Sequence, residues 1–160
     1  MRILLYLAIG YALLVGFMAL MQRKMLYFPD PTAPIQAVSL GADGTLEPWP
    51  GTGEAFRGYV RGPLSSPMST RGTVVVFHGN AGSARDRGYY ALALEARGYR
   101  VVLAEYPGYG GRAGAWSEDA FVQDGRKVAR QALADFGGPL WLWGESLGAA
   151  VAAGVAADRT

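Results

Sequence analysis

A serine in a glycine-flanked turn is the residue of this sequence best placed to do chemistry. Residues 144–148 read Gly-Glu-Ser-Leu-Gly, so Ser146 occupies the centre of a G-x-S-x-G pattern. An apolar run, Pro139 to Trp143, precedes the pattern, and small residues follow it from Ala149 onward. This order predicts a strand, a sharp turn and a helix, which is the context in which a serine projects as a nucleophile.

The neighbours of Ser146 suit attack on an acyl carbonyl. Gly144 and Gly148 lack Cβ atoms, so the strand and helix backbones can pass closely and adopt unusual φ and ψ angles. The N–H of Leu147 would point from the start of the helix toward an oxyanion, and the helix dipole favours that charge. Ser146 is therefore the predicted nucleophile, and an ordinary helix N-cap is the alternative.

The N-terminus is an uncharged apolar run. A helix over residues 3–21 would be about 28 Å long, close to the thickness of the hydrocarbon core of a bilayer. Arg2 lies on one side of the run and Arg23 and Lys24 on the other, which leaves the side of the membrane undecided. We predict a single-pass membrane anchor over residues 1–24, with a cleaved signal peptide as the alternative.

Composition restricts the other classes of function. The chain has 160 residues, is 51% apolar, carries a net charge of +2 and contains no cysteine. Its basic residues are scattered, so no nucleic-acid partner is expected, and disulfide chemistry is excluded. His78 is the one histidine, and a structural loop histidine is favoured over a metal ligand because no second histidine or cysteine exists. We expect neither a metal nor a cofactor.

Strand and helix patterns alternate after a segment rich in proline and glycine. Residues 25–53 are predicted to form a linker with one short strand near residues 35–40. Beyond it, strands are predicted at 55–60, 73–77, 99–104 and 139–143, and helices at 89–97, at 118–136 and from 149. This alternation predicts a mostly parallel sheet with helices on both faces. Trp141 and Trp143 are expected to fill its core.

Three stretches together carry a resemblance to a known family. They are TVVVFHGNAGS from Thr73, YRVVLAEYPGYGGR from Tyr99 and PLWLWGESLGAAVA from Pro139. With the apolar N-terminal run, they resemble the α/β-hydrolase superfamily and, more narrowly, the membrane-anchored serine hydrolases of the BEM46 type. One departure is Glu105, which stands where that family usually has an aspartate.

The resemblance implies a fold and a site. Residues 54–160 would form the N-terminal half of an α/β-hydrolase domain behind the transmembrane helix. Ser146 would form an acyl-enzyme with carboxylic esters or thioesters, and location at a membrane favours lipid-like acyl groups. The N–H groups of Leu147 and Asn80 would form the oxyanion hole, with Ala81 as the less favoured second donor. The residues that would support these loops are His78, Gly79, Gly144 and Gly148.

A serine triad in this fold continues past the nucleophile with an acid and then a histidine. The residues after Ser146 include Asp158 but no histidine. The sequence therefore predicts a truncated hydrolase that lacks about 100 residues of a usual domain. An inactive remnant or a membrane interaction protein is the alternative function. A minor alternative is dinucleotide binding, since Gly108, Gly110 and Ala113 give a weak G-x-G-x-x-A pattern.

Overall fold

The secondary structure comes from a computed structural model that describes residues 2–61 and 70–157, so Asp158 lies outside the described residues. The strands are β1 (Phe28–Pro29), β2 (Val38–Ser39), β3 (Thr45–Trp49), β4 (Gly58–Arg61), β5 (Thr73–Phe77), β6 (Ala81–Gly82), β7 (Arg100–Ala104) and β8 (Leu140–Gly144). The α-helices are α1 (Arg2–Leu26), α2 (Gly88–Glu95), α3 (Glu118–Phe136) and α4 (Leu147–Ala156).

The described residues form a six-stranded mixed sheet in the order β2-β3-β4-β7-β5-β8. β5 pairs in parallel with β7 and β8, whereas the pairs β2–β3, β3–β4 and β4–β7 are antiparallel. In this register Phe77 lies beside both Ala104 and Gly144. The carboxyl ends of β5, β7 and β8 therefore meet at one edge, where their following loops come together.

Apolar clusters cover both faces of the sheet. Because side chains alternate along a strand, β5 sends Val75 and Phe77 into one cluster and Val74 and Val76 into the other. Buried residues of α3 and α4 complete the first cluster, and Ala91 of α2 lies in the second. The predicted α/β fold with helices on both faces is confirmed. The sheet is mixed and not mostly parallel, because β2, β3 and β4 join it through antiparallel pairs.

Residues 25–53 contribute two strands to the main sheet: β2 lies within the short strand predicted near residues 35–40, whereas β3 was not predicted. Leu46 and Trp49 of β3 are almost fully buried, one in each apolar cluster. The prolines and glycines between these short strands interrupt the alternating pattern and conceal it in the sequence. The first helix also continues to Leu26, beyond the predicted end of the anchor at residue 24.

The prediction that Trp141 and Trp143 fill the core is wrong. Their side chains are 53% and 46% exposed. The physical reason is the position of β8, which is the last strand in the sheet order and has a neighbour on one side only among the described residues. Trp143 contacts the ring of Tyr90 at 5.8 Å between centroids, and this contact covers only part of its surface.

Helix α1 has no buried residue along its length. It is long and apolar enough to cross a membrane, although a signal sequence near the N-terminus passes the same test. Arg23 and Lys24 lie in its last turn, where positive side chains interact favourably with the helix dipole. The helix thus has the properties of a membrane span by length and composition.

Candidate active site

Ser146 lies at the turn between β8 and α4 with φ 51° and ψ −115°. It is the only non-glycine residue with positive φ among the described residues. Such a conformation costs of order 1–3 kcal/mol and persists only where the surroundings enforce it. Here the N–H of Gly148 donates to the Glu145 carbonyl at 2.8 Å, and that of Ala149 donates to the Ser146 carbonyl at 2.9 Å. The Ser146 side chain remains exposed.

The two glycines of the turn are required by close backbone contacts. A Cβ atom on Gly148 would overlap the carbonyl oxygen of Phe77 at the end of β5. One on Gly144 would overlap the backbone of Ala149 in α4. The helix that follows Ser146 can therefore approach the end of β5 only because both positions are glycine.

The loop after β5, residues 78–83, touches the serine turn. The N–H of Glu145 donates to the Phe77 carbonyl at 2.9 Å, which joins the turn to the end of β5. A Cβ atom on Gly79 would lie 3.0 Å from Oε1 of Glu145. The structure therefore brings together the loop that carries Asn80 and the turn that carries Ser146.

His78 is buried, and both of its ring nitrogens have partners. Nδ1 lies 2.7 Å from the carbonyl oxygen of Gly79, so this nitrogen carries a proton, because a carbonyl only accepts. Nε2 lies 2.9 Å from Oε1 of Glu105, whose Oε2 accepts from the N–H of Ala84 at 2.9 Å. Glu105 is only 1% exposed. These contacts brace the loop from the end of β7.

Glu145 connects the serine turn to the segment that leads into α2. Its Oε1 accepts from Arg87 at 3.2 Å and its Oε2 from the Tyr89 hydroxyl at 3.1 Å. The same Arg87 nitrogen donates to the Ala81 carbonyl at 3.1 Å. Burial alone would raise the pKa of Glu145, but the hydrogen bond and charge of Arg87, with the hydroxyls of Tyr89 and Tyr90, lower that pKa below its ordinary value. Glu145 therefore stays ionised beside Ser146.

Two buried tyrosines bind the loop of residues 78–83 through their hydroxyl groups. The Tyr106 hydroxyl donates to the His78 carbonyl at 2.7 Å, and the Tyr109 hydroxyl donates to the Asn80 carbonyl at 2.9 Å. Burial raises the pKa of both, that of Tyr109 to about 12, so both remain protonated donors at neutral pH. Their rings pack against Phe121 of α3.

The segment that leaves α1 also binds this loop. We call residues 26–30 the exit segment. Its strand β1 pairs in parallel with β6, and the N–H of Phe28 donates to the Asn80 carbonyl at 3.1 Å. The Asn80 side-chain amide donates to the Leu26 carbonyl at 2.8 Å. Neither contact could be predicted from hydrophobic periodicity, because two-residue strands are too short to show an alternating pattern.

The glycines of the G-x-G-x-x-A pattern have a packing role in the loop after β7. Gly108 and Gly110 have positive φ, and a Cβ atom on Gly110 would overlap the Glu105 carboxylate. A dinucleotide fingerprint leads directly into a helix, whereas α3 begins only at Glu118. The loop conformation thus accounts for the pattern without a nucleotide.

Comparison with known proteins gives the family. The model of a hydrolase family described as serine aminopeptidase, S33, matches residues 68–160. The chain belongs to this family. Its fold is similar to that of a solved α/β serine hydrolase without a lid, XC6422 of Xanthomonas campestris, with a TM-score of 0.56 and 28% identity over 80% of this chain and 59% of that one. These findings support membership of the α/β-hydrolase superfamily.

Relatives with similar sequences are longer than this chain. An uncharacterized protein of Mycobacterium tuberculosis strain CDC 1551 is 34% identical over 91% of this chain and 52% of its own length. The lysophosphatidylserine lipase ABHD12 of Xenopus tropicalis is 35% identical over 53% of this chain and 23% of its own length. The chain thus spans about half the length of the mycobacterial relative and less of the lipase.

Proposed function

We propose that this protein is a serine hydrolase of carboxylic esters or thioesters and that Ser146 is its nucleophile. The observation that carries the proposal is the conformation of Ser146, an exposed hydroxyl held at positive φ between β8 and α4. A strained serine at this point of an α/β sheet is the arrangement that exposes the nucleophile in α/β-hydrolases.

In the proposed reaction, the Ser146 hydroxyl attacks the acyl carbonyl and forms an acyl-enzyme, which water then hydrolyses. The oxyanion would accept hydrogen bonds from the N–H groups of Leu147 and Asn80, each contributing about 3 kcal/mol at the transition state. His78 is held at both ring nitrogens in the loop. The proposal therefore assigns the triad histidine to a residue outside these 160.

We propose lipid-like acyl groups as the substrate class and the membrane-anchored BEM46 type as the narrower kinship. Helix α1 supports membrane anchoring by its length and composition. The similarity to a lysophosphatidylserine lipase supports a lipid substrate. In this proposal residues 1–24 are the anchor and the hydrolase domain follows it.

Labelling with a fluorophosphonate tests the proposal, since this probe reacts covalently with activated serines. The protein should be expressed at full length in membranes and labelled as wild type and as Ser146→Ala. We expect labelling of the wild type and complete loss of it in the variant. A complete, folded wild-type protein that does not react would contradict the proposal and favour the alternative, an inactive membrane interaction protein. The preferred acyl length then follows from competition by esters of increasing chain length.

A further inference from the structure

We infer that the exit segment positions the loop of residues 78–83, here called the oxyanion loop, and that the end of α1 is thereby coupled to the reaction rate at Ser146. The inference rests on the proposed function for its catalytic meaning. Its structural content, that residues 26–30 fix the backbone of Asn80, stands on separate contacts and is measurable without any reaction.

The carbonyl of Asn80 is held from two sides. It accepts from the N–H of Phe28 at 3.1 Å and from the hydroxyl of Tyr109 at 2.9 Å. This carbonyl belongs to the planar peptide that also carries the N–H of Ala81, so fixing the oxygen fixes the direction of that N–H. The preceding peptide carries the N–H of Asn80, and its oxygen on Gly79 is held by His78. Each of the two possible oxyanion donors, the N–H groups of Asn80 and Ala81, therefore belongs to a peptide group whose carbonyl oxygen is held by a hydrogen bond.

The side chain of Asn80 is held as well. Its amide nitrogen donates to the Leu26 carbonyl at 2.8 Å. The carbonyls in the last turn of a helix lack partners within the helix, so this bond caps the C-terminus of α1. Asn80 is thus tied to the exit segment through its backbone oxygen and through its side chain, and a movement of one is transmitted to the other.

The exit segment is itself firmly placed in the domain. Tyr27 is buried and meets Phe121 edge to face at 5.4 Å between ring centroids. The N–H of Asp30 donates to the Gly82 carbonyl, and the Asp30 carbonyl accepts from the N–H of Gly110 at 3.1 Å. These contacts hold the backbone of the exit segment in place, which it needs in order to position the oxyanion loop.

The test compares Phe28→Pro with Phe28→Ala in the complete protein in membranes. Both variants lose the Phe28 ring, which is 54% exposed, but only proline removes the N–H that binds Asn80. Asn80→Ala removes the bond to Leu26 separately. Thr32→Val is the control, because it removes an exposed hydroxyl bond to the Asp30 side chain at 2.9 Å and leaves the backbone bonds of Phe28 and Asp30 to the oxyanion loop in place.

Two readouts are needed: fluorophosphonate labelling, resolved into the maximal rate and the half-saturating probe concentration, and amide hydrogen exchange of residues 79–83. We expect the maximal labelling rate of Phe28→Pro to be about tenfold lower than that of Phe28→Ala, and that of Asn80→Ala to be about tenfold lower than that of the wild type. The half-saturating probe concentration should be unchanged in both comparisons. We also expect loop exchange about tenfold faster. Thr32→Val should match the wild type in both.

Unchanged exchange of the loop in both variants would overturn the inference, whatever the activity of the protein. Faster exchange with an unchanged labelling rate would overturn the catalytic coupling. A wild-type protein that does not label would overturn the proposed function instead, while loop exchange would still decide whether the exit segment fixes Asn80. A fall in rate that appears equally in Thr32→Val would also count against the inference, because it would reflect general loosening.

Discussion

The backbone of Ser146 predicts a difference between two inactive variants. Ser146→Gly and Ser146→Ala both lack the hydroxyl, but alanine keeps the strain of φ 51° whereas glycine adopts this conformation freely. We expect Ser146→Gly to be about 1 kcal/mol more stable than Ser146→Ala. Thermal unfolding of the complete protein measures the difference. Equal stability would mean that the turn relaxes to negative φ.

Glu145 predicts an acid-dependent contribution to stability. Its pKa in the fold is lower than the ordinary 4.5, so its stabilising contacts are present above that pH and are lost as the pH falls through the lowered value. Glu145→Gln should therefore be less stable than the wild type by about 1 kcal/mol at pH 7, and the difference should shrink as the pH falls from 4.5 through the lowered pKa of Glu145.

Denaturant unfolding at a series of pH values checks this, with Glu54→Gln as the control because the Glu54 side chain is exposed. A gap between wild type and Glu145→Gln that persists at low pH would show that the substitution acts through shape and not through charge.

Local spacing made Ser146 and its glycines predictable, since five consecutive residues carry the whole signal. The partners that hold the site could not be found in this way. Arg87 meets Glu145 across 58 residues, and Tyr109 meets Asn80 across 29. Neither contact has a periodic pattern, and Glu105 looks like a surface residue until the fold buries it beside His78.

At the scale of elements, the close contact of α4 with β5 predicts a large effect of a small change. Gly148→Ala would press a methyl group into the Phe77 carbonyl, and backbone cannot move aside as a side chain can. We expect a loss of about 3 kcal/mol or more, or failure to fold.

Gly154→Ala in the same helix is the matched control. Its added Cβ would lie 2.8 Å from Cγ2 and 3.3 Å from Cγ1 of Val122, so the atoms that must shift belong to a side chain and not to backbone. Alanine also favours the helix by about 1 kcal/mol, so we expect Gly154→Ala to lose at least about 2 kcal/mol less stability than Gly148→Ala. Comparable losses in both variants would contradict the argument from backbone contact.

Elements with a strong local pattern matched their predicted bounds. Strand β5 is apolar and β-branched throughout, and α3 begins after Ser117, whose hydroxyl accepts from the N–H of Ala120. The strands β1 and β6 could not be predicted, because two residues pair only when the rest of the fold brings them together. Strand β3 was missed because Pro48 lies inside it.

For the whole molecule, the exposed face of β8 predicts association. Trp141 and Trp143 project on an edge strand, and such edges recruit further strands or apolar surfaces. A preparation of these 160 residues in detergent, which covers α1, should form aggregates that scatter light. Lysine at both tryptophan positions should reduce the scattering severalfold, with lysine at Leu133 of α3, which is also exposed, as the control. Equal scattering by the wild type, the double-lysine variant and the control variant would show that association involves a surface other than β8.

The bonds between Asn80 and the end of α1 also limit the length of the linker between this helix and the domain. A flexible linker between a membrane anchor and a catalytic domain lets the active site sample a volume that increases with the length of the linker. Here only Tyr27 separates α1 from β1, and its ring is packed against Phe121. If α1 crosses a bilayer, no flexible linker between α1 and β1 allows the domain to move away from the lipid headgroups. If its substrate is a lipid of that membrane, as proposed, the rate depends on the number of substrate molecules per unit of membrane area and is unchanged by dilution into bulk water.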